Sequence, residues 1–308
     1  MNLQFDRFKF NHKDLFLFIF LLIVFGALVT FSIRDYIYAD EVYPLMTSSK
    51  SVVNAFKKAL TFENQPPFYY VILNLWRNID NSIFFARLLS IIFWAISAIP
   101  LNALFKKLFG SNHQIFTAIF LTNAVVLSYA IELRYMALVL LLAIAVEYLF
   151  LITYQSTRIK PLYRFLYIVT SILGVYTQYY FSFLLIANFT ILLIQGRKKI
   201  VTTYLLDMIW PVLFLGILLP YLHAQTNQQT GQCPVDISFI FFIDFIYSHI
   251  KYLLVNFSPP PFHKYINMIY QPLVIGSLVL AFLLVQWRFF SKSFIKYHYH
   301  YLLKFLVL

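Results

Sequence analysis

The chain has 308 residues, of which 61% are hydrophobic and 20% aromatic, and its formal net charge is +12. A soluble domain of this size cannot hide so much apolar surface, so the composition points to a polytopic α-helical membrane protein, an all-α transmembrane bundle. The basic residues fall between apolar runs, which favours loop charge over nucleic-acid binding, and the single cysteine, Cys233, excludes an intrachain disulfide and a Cys-based metal cluster.

In chain order, a basic N-terminus leads into an apolar run with no small-residue cleavage site, which reads as an uncleaved first span. Spans are expected near 14–33, 83–105, 114–130, 134–154, 162–177, 181–195, 203–221 and 267–287. Arg7, Lys9 and Lys13, Lys106 and Lys107, Arg158, Lys160 and Arg164, Arg197 to Lys199, and Arg288, Lys292, Lys296 and Lys304 then share one side. The short turns near 131–133 and 178–180 hold no basic residue, although Arg134 stands at the edge of the first. This asymmetry predicts that the basic segments are cytoplasmic and the turns external. Two large external loops follow, at about 34–82 and 222–266. Within the second, 237–257 is apolar enough to suggest a span. Crossing there would put Asp244, His249 and Lys251 in hydrocarbon at ~2.5–3.5 kcal/mol each, so it reads as an interfacial or re-entrant helix.

Within the first loop, Val53, Phe56 and Leu60 recur at helical spacing against Lys50, Lys57 and Lys58, which predicts a short juxtamembrane helix over 50–60. Pro66 and Pro67 stop it and can open a second, Phe68–Arg77. At the C-terminus, Tyr301–Leu308 reads as the opening of a further span. The whole is taken as one transmembrane domain over 1–308, with room for a truncation.

Three constellations could carry chemistry. Asp40 and Glu41 are adjacent, and the chain holds only 12 acids in all. They read either as a solvated loop or as a general base with a partner carboxylate. Glu132 and Arg134 flank a turn between two spans, either as a mutual pair or lipid anchor, or as an arginine fork for a phosphate oriented by the glutamate. Gln178, Tyr179 and Tyr180 lie on the next turn, as interfacial anchors or as a polar wall of the same cavity. All three fall on the external face under this topology. The histidines lack metal-ligand spacing, and without a Gly-rich phosphate loop nucleotide chemistry is set aside.

The order of Asp40-Glu41, Gln65-Pro66-Pro67-Phe68-Tyr69-Tyr70, Phe85-Ala86-Arg87-Leu88-Leu89-Ser90, Lys106-Lys107-Leu108-Phe109-Gly110 and Glu132-Leu133-Arg134-Tyr135 resembles the GT-C membrane glycosyltransferases over roughly residues 10–220. The branch is the protein mannosyltransferase-like group that includes the lipid A aminoarabinose and Rgt-type core-sugar transferases. The resemblance implies a multi-pass protein of a bacterial inner membrane. Its activity would move a sugar from a polyprenyl-phosphate donor to an acceptor hydroxyl on the extracytoplasmic face. Asp40 matches the family's loop base, with Glu41 its neighbour, while Glu132 and Arg134 match the acid–arginine motif for the donor phosphate. Tyr43, Gln65, Tyr69, Arg87, Gln178 and Tyr179 would line the substrate cavity. A divalent cation at Asp40, Glu41 or Glu132 is the one cofactor left open. Gln178 departs from the histidine of many relatives. The alternatives are a transporter or flippase for a lipid-linked sugar, and an inactive paralogue that binds polyprenyl lipid.

Overall fold

The computed structural model describes residues 12–33, 37–156 and 160–230. The expected span near 267–287 and the segment 237–257 lie outside them. The chain divides into two units, Met1–Gln225 and Thr226–Leu308. Among the described residues every regular element is helical.

Helix α1 (His12–Ser32) confines its charges to Lys13 and Asp14 in the first turn. At 1.5 Å per residue its 21 residues cover about the 30 Å of a hydrocarbon core. It buries only Leu17, Leu28 and Ser32, as expected of a peripheral helix whose other faces meet lipid.

The loop that follows is three short helices. The first, α2 (Ala39–Thr47), was not anticipated, because its acids read as chemistry rather than as first-turn residues. Asp40 and Glu41 occupy that turn, where negative charge is favoured by the helix dipole. Helix α3 (Val52–Thr61) starts on Ser51, whose hydroxyl accepts the Asn54 amide. Helix α4 (Phe68–Arg77) has the limits that the Pro66-Pro67 stop predicts. Its side chains tie the loop together. Asn74 Nδ2 donates to the carbonyls of Ser48 (2.8 Å) and Lys50, and Arg77 Nη1 donates to Leu45 O (2.7 Å) and Ser48 Oγ (2.8 Å). Trp76 stacks on Phe85 at 4.5 Å and donates its indole N–H to Phe85 O, docking α4 on the next helix.

That helix, α5 (Ile83–Phe109), is capped by the Ser82 hydroxyl and ends at Gly110, whose φ of 63° suits a residue without Cβ. A 3₁₀ turn (Gly110–Asn112) leads to α6 (His113–Leu121) and α7 (Ala124–Ile131). A single span was expected over 114–130, but the helix breaks at Thr122 and Asn123. Asn123 Oδ1 accepts the Val125 amide at 3.0 Å and starts the second piece, the local competition that asparagine offers a helix. Helices α8 (Met136–Thr153), α9 (Pro161–Thr177), α10 (Phe181–Ile194) and α11 (Lys198–Thr230) complete the unit, and α11 runs on into the expected loop at 222–266.

Among the described residues four segments are long and apolar enough to cross a membrane: His12–Ser32, Ile83–Leu121, Met136–Thr153 and Lys198–Tyr221. The 17 residues of α9 and 14 of α10 are apolar but shorter. The two core clusters share α5 and α8. One gathers Tyr69, Tyr70, Leu73 and Leu89 with Val146, Phe150, Tyr167 and Tyr204. The other gathers Leu28, Ile91, Trp94, Leu101 and Leu121 with Val126 and Ile144.

Several polar groups inside the apolar helices pair across helices. Asp207 on α11 accepts from Arg164 Nε (3.0 Å) and Nη2 (2.6 Å) on α9, and from the Tyr154 hydroxyl (2.6 Å). Glu147 on α8 accepts from Asn188 Nδ2 at 2.9 Å. Asn188 also reaches the Tyr167 hydroxyl, which lies 3.0 Å from that of Tyr204. These bonds hold α8 to α11 together where apolar packing between lipid-like surfaces adds little.

The α9–α10 turn depends on one glycine. A Cβ on Gly174 would sit 2.3 Å from the buried Phe181 ring. Gly174→Ala therefore overpacks the turn that carries Gln178, and is expected to lower stability by ~1–3 kcal/mol in detergent unfolding. An unchanged unfolding midpoint would show that the ring moves aside freely.

Candidate functional site

The candidate site lies at the end of the bundle that carries α2, α3 and α4, and it is built on Glu41. This side chain is 1% exposed and faces Arg87, 3% exposed, on α5. Arg87 Nε donates to Glu41 Oε1 at 2.9 Å and Nη2 to Oε2 at 2.6 Å. Each oxygen also accepts a backbone amide, Leu133 N–H on Oε1 and Tyr38 N–H on Oε2, both at 3.1 Å. Arg87 Nη1 reaches back to Ser32 O, the end of α1, at 3.2 Å. One carboxylate thus joins α2, α5, the end of α1 and the turn after α7. Glu41 is placed as a strut, and Arg87 is buried against it.

The Leu133 amide fixed by Glu41 sits between the two residues of the acid–arginine motif. Leu133 is fully buried, Glu132 is half-buried, and Arg134 is 36% exposed. Glu132 has extended backbone, with Arg134 N–H donating to its carbonyl at 2.9 Å. Arg134 Nη1 lies 3.3 Å from Asp40 Oδ2, and Asp40 is 63% exposed. Asp40 and Glu41 therefore do different things from adjacent positions. The first faces solvent and meets Arg134, whereas the second faces the core and meets Arg87.

Tyr135 continues the rim. Its hydroxyl accepts from Gln178 Nε2 at 3.1 Å, which connects the turn after α7 to the turn after α9. Gln178 Oε1 in turn accepts the Tyr179 amide. The rings of Tyr69 and Tyr135 meet edge to face at 6.4 Å, and Tyr69 meets Tyr70 at 5.4 Å. Tyr135 thus links Arg134 to one connected group of Gln178, Tyr179 and the fully buried Tyr69. Tyr43 does not join it, since its ring lies 5.9 Å from Phe62 on an exposed surface. Gln65 closes the end of α3, its amide donating to Ala59 O at 3.0 Å.

Glu63 was missed in the sequence. It accepts from the Thr47 hydroxyl at 2.9 Å and bonds Tyr70, and Arg134 is close enough to act on its charge. The available signal was its position, an acid two residues before the Gln65-Pro66-Pro67 motif.

Burial raises the pKa of Glu63 above the ordinary glutamate value, against the pull of Thr47, Tyr70 and Arg134. Burial also raises that of Glu132, opposed by Arg134 and reinforced by the negative charges of Glu41 and Asp40. Tyr135 shifts upward for the same first reason. Two half-buried carboxylates with strengthened hold on their protons thus flank one accessible guanidinium.

Among the described residues no group of three His, Cys, Asp or Glu is placed to hold a metal ion. Glu41 is saturated by Arg87 and two amides, so it does not fit the divalent cation left open above.

Comparison with protein-family models, curated proteins and solved structures finds no match to this chain.

The raised Glu132 pKa has a measurable sign. Between the unfolded and folded values the folded state binds more protons, so stability falls as pH rises through that window. Glu132→Gln removes this penalty. It is expected to raise the unfolding temperature at neutral pH, with the gain vanishing below the ordinary glutamate range. An equal gain at both pH values would place the effect outside Glu132 ionisation.

Proposed function

We propose that the protein is an integral membrane glycosyltransferase that moves a sugar from a polyprenyl-phosphate donor to an acceptor hydroxyl on the extracytoplasmic side. The observation that carries the reading is the contrast between two arginines. Arg87 is buried and doubly bonded, and removing its partner would leave a buried charge at a cost of ~3–5 kcal/mol. Arg134 is in a half-exposed pair of the kind worth only ~0.2–1 kcal/mol. A phosphate can therefore displace Asp40 from Arg134 and cannot displace Glu41 from Arg87. The planar fork of Arg134 suits phosphate, and its place at the start of an apolar helix suits a lipid-borne one.

The reaction follows from that exchange. When the donor phosphate takes Arg134, Asp40 loses its partner and stands as a free carboxylate near the reacting carbon. The acceptor hydroxyl attacks the anomeric carbon and its proton passes to Asp40, while the bond from that carbon to the phosphate oxygen breaks. The electron pair leaves on the polyprenyl phosphate, whose growing charge Arg134 stabilises. The transition state has oxocarbenium character, which neighbouring carboxylates favour. A single displacement inverts the anomeric centre. Glu132 orients Arg134, and Tyr135, Gln178 and Tyr179 line the sugar cavity, with the buried Tyr69 packed behind Tyr135. Glu41 acts through position alone, holding Asp40 and the 132–135 turn in register. Arg134 carries the phosphate charge.

The test uses membranes containing the full chain, radiolabelled polyprenyl-phosphate hexose and a panel of acceptors. Labelled product is expected with the wild type. Asp40→Asn should reduce turnover by ~10²–10⁴, with donor binding far less affected. Arg134→Lys keeps charge and loses the fork, so it should raise the donor concentration needed for half-maximal transfer. Near-normal turnover in Asp40→Asn would move the base to Glu132 or Glu63. A donor titration of Arg134→Lys that matches wild type would make Arg134 an interfacial anchor.

A further inference from the structure

At the opposite end of the bundle, away from the proposed transfer site, a groove of 450 Å³ opens between the start of α1 and the 3₁₀ turn leading into α6. Its volume falls within the usual range of small-molecule sites, roughly 300–1,000 Å³. Phe16, Leu17, Ile115, Ala118 and Ile119 form its walls. Leu17 is buried, while Phe16, Ile115 and Ile119 are 60 to 70% exposed, so the groove opens sideways from an apolar face. Its lining also includes His12, Lys13, Ser111 and Asn112, all exposed, and the buried Gln114. An apolar groove with exposed basic and hydroxyl-bearing residues among its lining is complementary to a chain-plus-anion amphiphile.

The charges around the groove favour an anion. Among the described residues the acid beside the groove, Asp14, accepts from Gln114 Nε2 at 2.7 Å and lies 3.8 Å from His113 Nε2, which directs it toward α6. Lys13 is left as the exposed charge in its lining. Lys106 and Lys107, also exposed, stand in the last turn of α5 just before Gly110. The basic-residue asymmetry puts this end on the cytoplasmic side, whose leaflet carries the anionic lipids, and basic pockets between membrane helices there bind such headgroups.

The geometry points to a binding site for one anionic diacyl phospholipid of the inner leaflet. An acyl chain lies in the groove against Phe16, Leu17, Ile115, Ala118 and Ile119. The phosphate is held by Lys13, with His12 and the polar groups of Ser111 and Asn112 around it. The bound lipid fills the gap between α1 and α6 and fastens α1, which buries few residues of its own. This site is independent of the transfer reading and survives its failure.

The test is native mass spectrometry of the full chain, released from micelles after stepwise delipidation in equimolar phosphatidylglycerol and phosphatidylethanolamine. Wild type is expected to retain one phosphatidylglycerol per chain in preference to phosphatidylethanolamine. Lys13→Gln should cut that preference by about fivefold, the effect of one basic charge at an anionic surface. Both Lys13 and His12 are exposed, so His12→Gln combined with Lys13→Gln leaves folding intact and should abolish the preference. Ala118→Trp fills the groove and should remove retention of both lipids, whereas Ile186→Trp, on the exposed face of α10, should not. Equal retention of the two lipids by wild type would overturn the proposal. So would retention unchanged by the paired His12 and Lys13 substitutions. No retained lipid at all would also overturn it, and would leave the groove to another occupant such as the chain's own residues 1–11.

Discussion

Glu41 and Arg87 form a doubly hydrogen-bonded ion pair with almost no contact with solvent, and the candidate site is arranged around it. Burying two charges is costly, and the cost is offset only where every acceptor and donor is used. Here both carboxylate oxygens accept twice, from Arg87 and from the amides of Leu133 and Tyr38. The consequence is geometric. Residues separated by 46 and by 92 positions are held within hydrogen-bond distance of one side chain. The end of α1, the start of α2, the first turns of α5 and the turn after α7 cannot shift independently.

A rigid base allows a loose rim. Because Leu133 is fixed, Glu132 and Arg134 on either side of it are presented without being buried. Arg134 meets Asp40 in a pair weak enough to open, and it stands near two carboxylates that burial has made reluctant to ionise. That combination costs stability and is kept where polar groups have work to do. The contrast with the other end of the bundle is instructive. There Asp207, Arg164 and Tyr154 saturate one another, and the same residue types serve only to hold helices together.

Much of the local structure was legible in the sequence. Helices α3 and α4 follow from Val53, Phe56 and Leu60 at helical spacing and from the Pro66-Pro67 stop, both short-range signals. The membrane class follows from composition. The break at Asn123 was hidden because hydropathy averages over a side chain that caps a helix as easily as it interrupts one. Helix α2 was hidden because two adjacent acids look like chemistry, although a helix N-terminus also welcomes them. The candidate site was legible in part. Asp40 meets Arg134, and Tyr135 meets Gln178 and the buried Tyr69, contacts between distant segments that spacing alone does not specify. The division of labour between Asp40 and Glu41 was not visible, because it depends on which of two neighbours faces an arginine far along the chain. Glu63 escaped for the same reason, since its neighbours Thr47 and Tyr70 come from different helices.

The account stands on the difference between a fixed inner pair and an exchangeable outer one. Double-mutant cycles on unfolding stability in one detergent measure that difference directly. One cycle takes Glu41→Gln with Arg87→Gln, and the other takes Asp40→Asn with Arg134→Gln. The account predicts a coupling of several kcal/mol for the inner pair, because either single change strands a buried partner, and no more than ~1 kcal/mol for the outer pair. Equal couplings, or a larger one between Asp40 and Arg134, would contradict it.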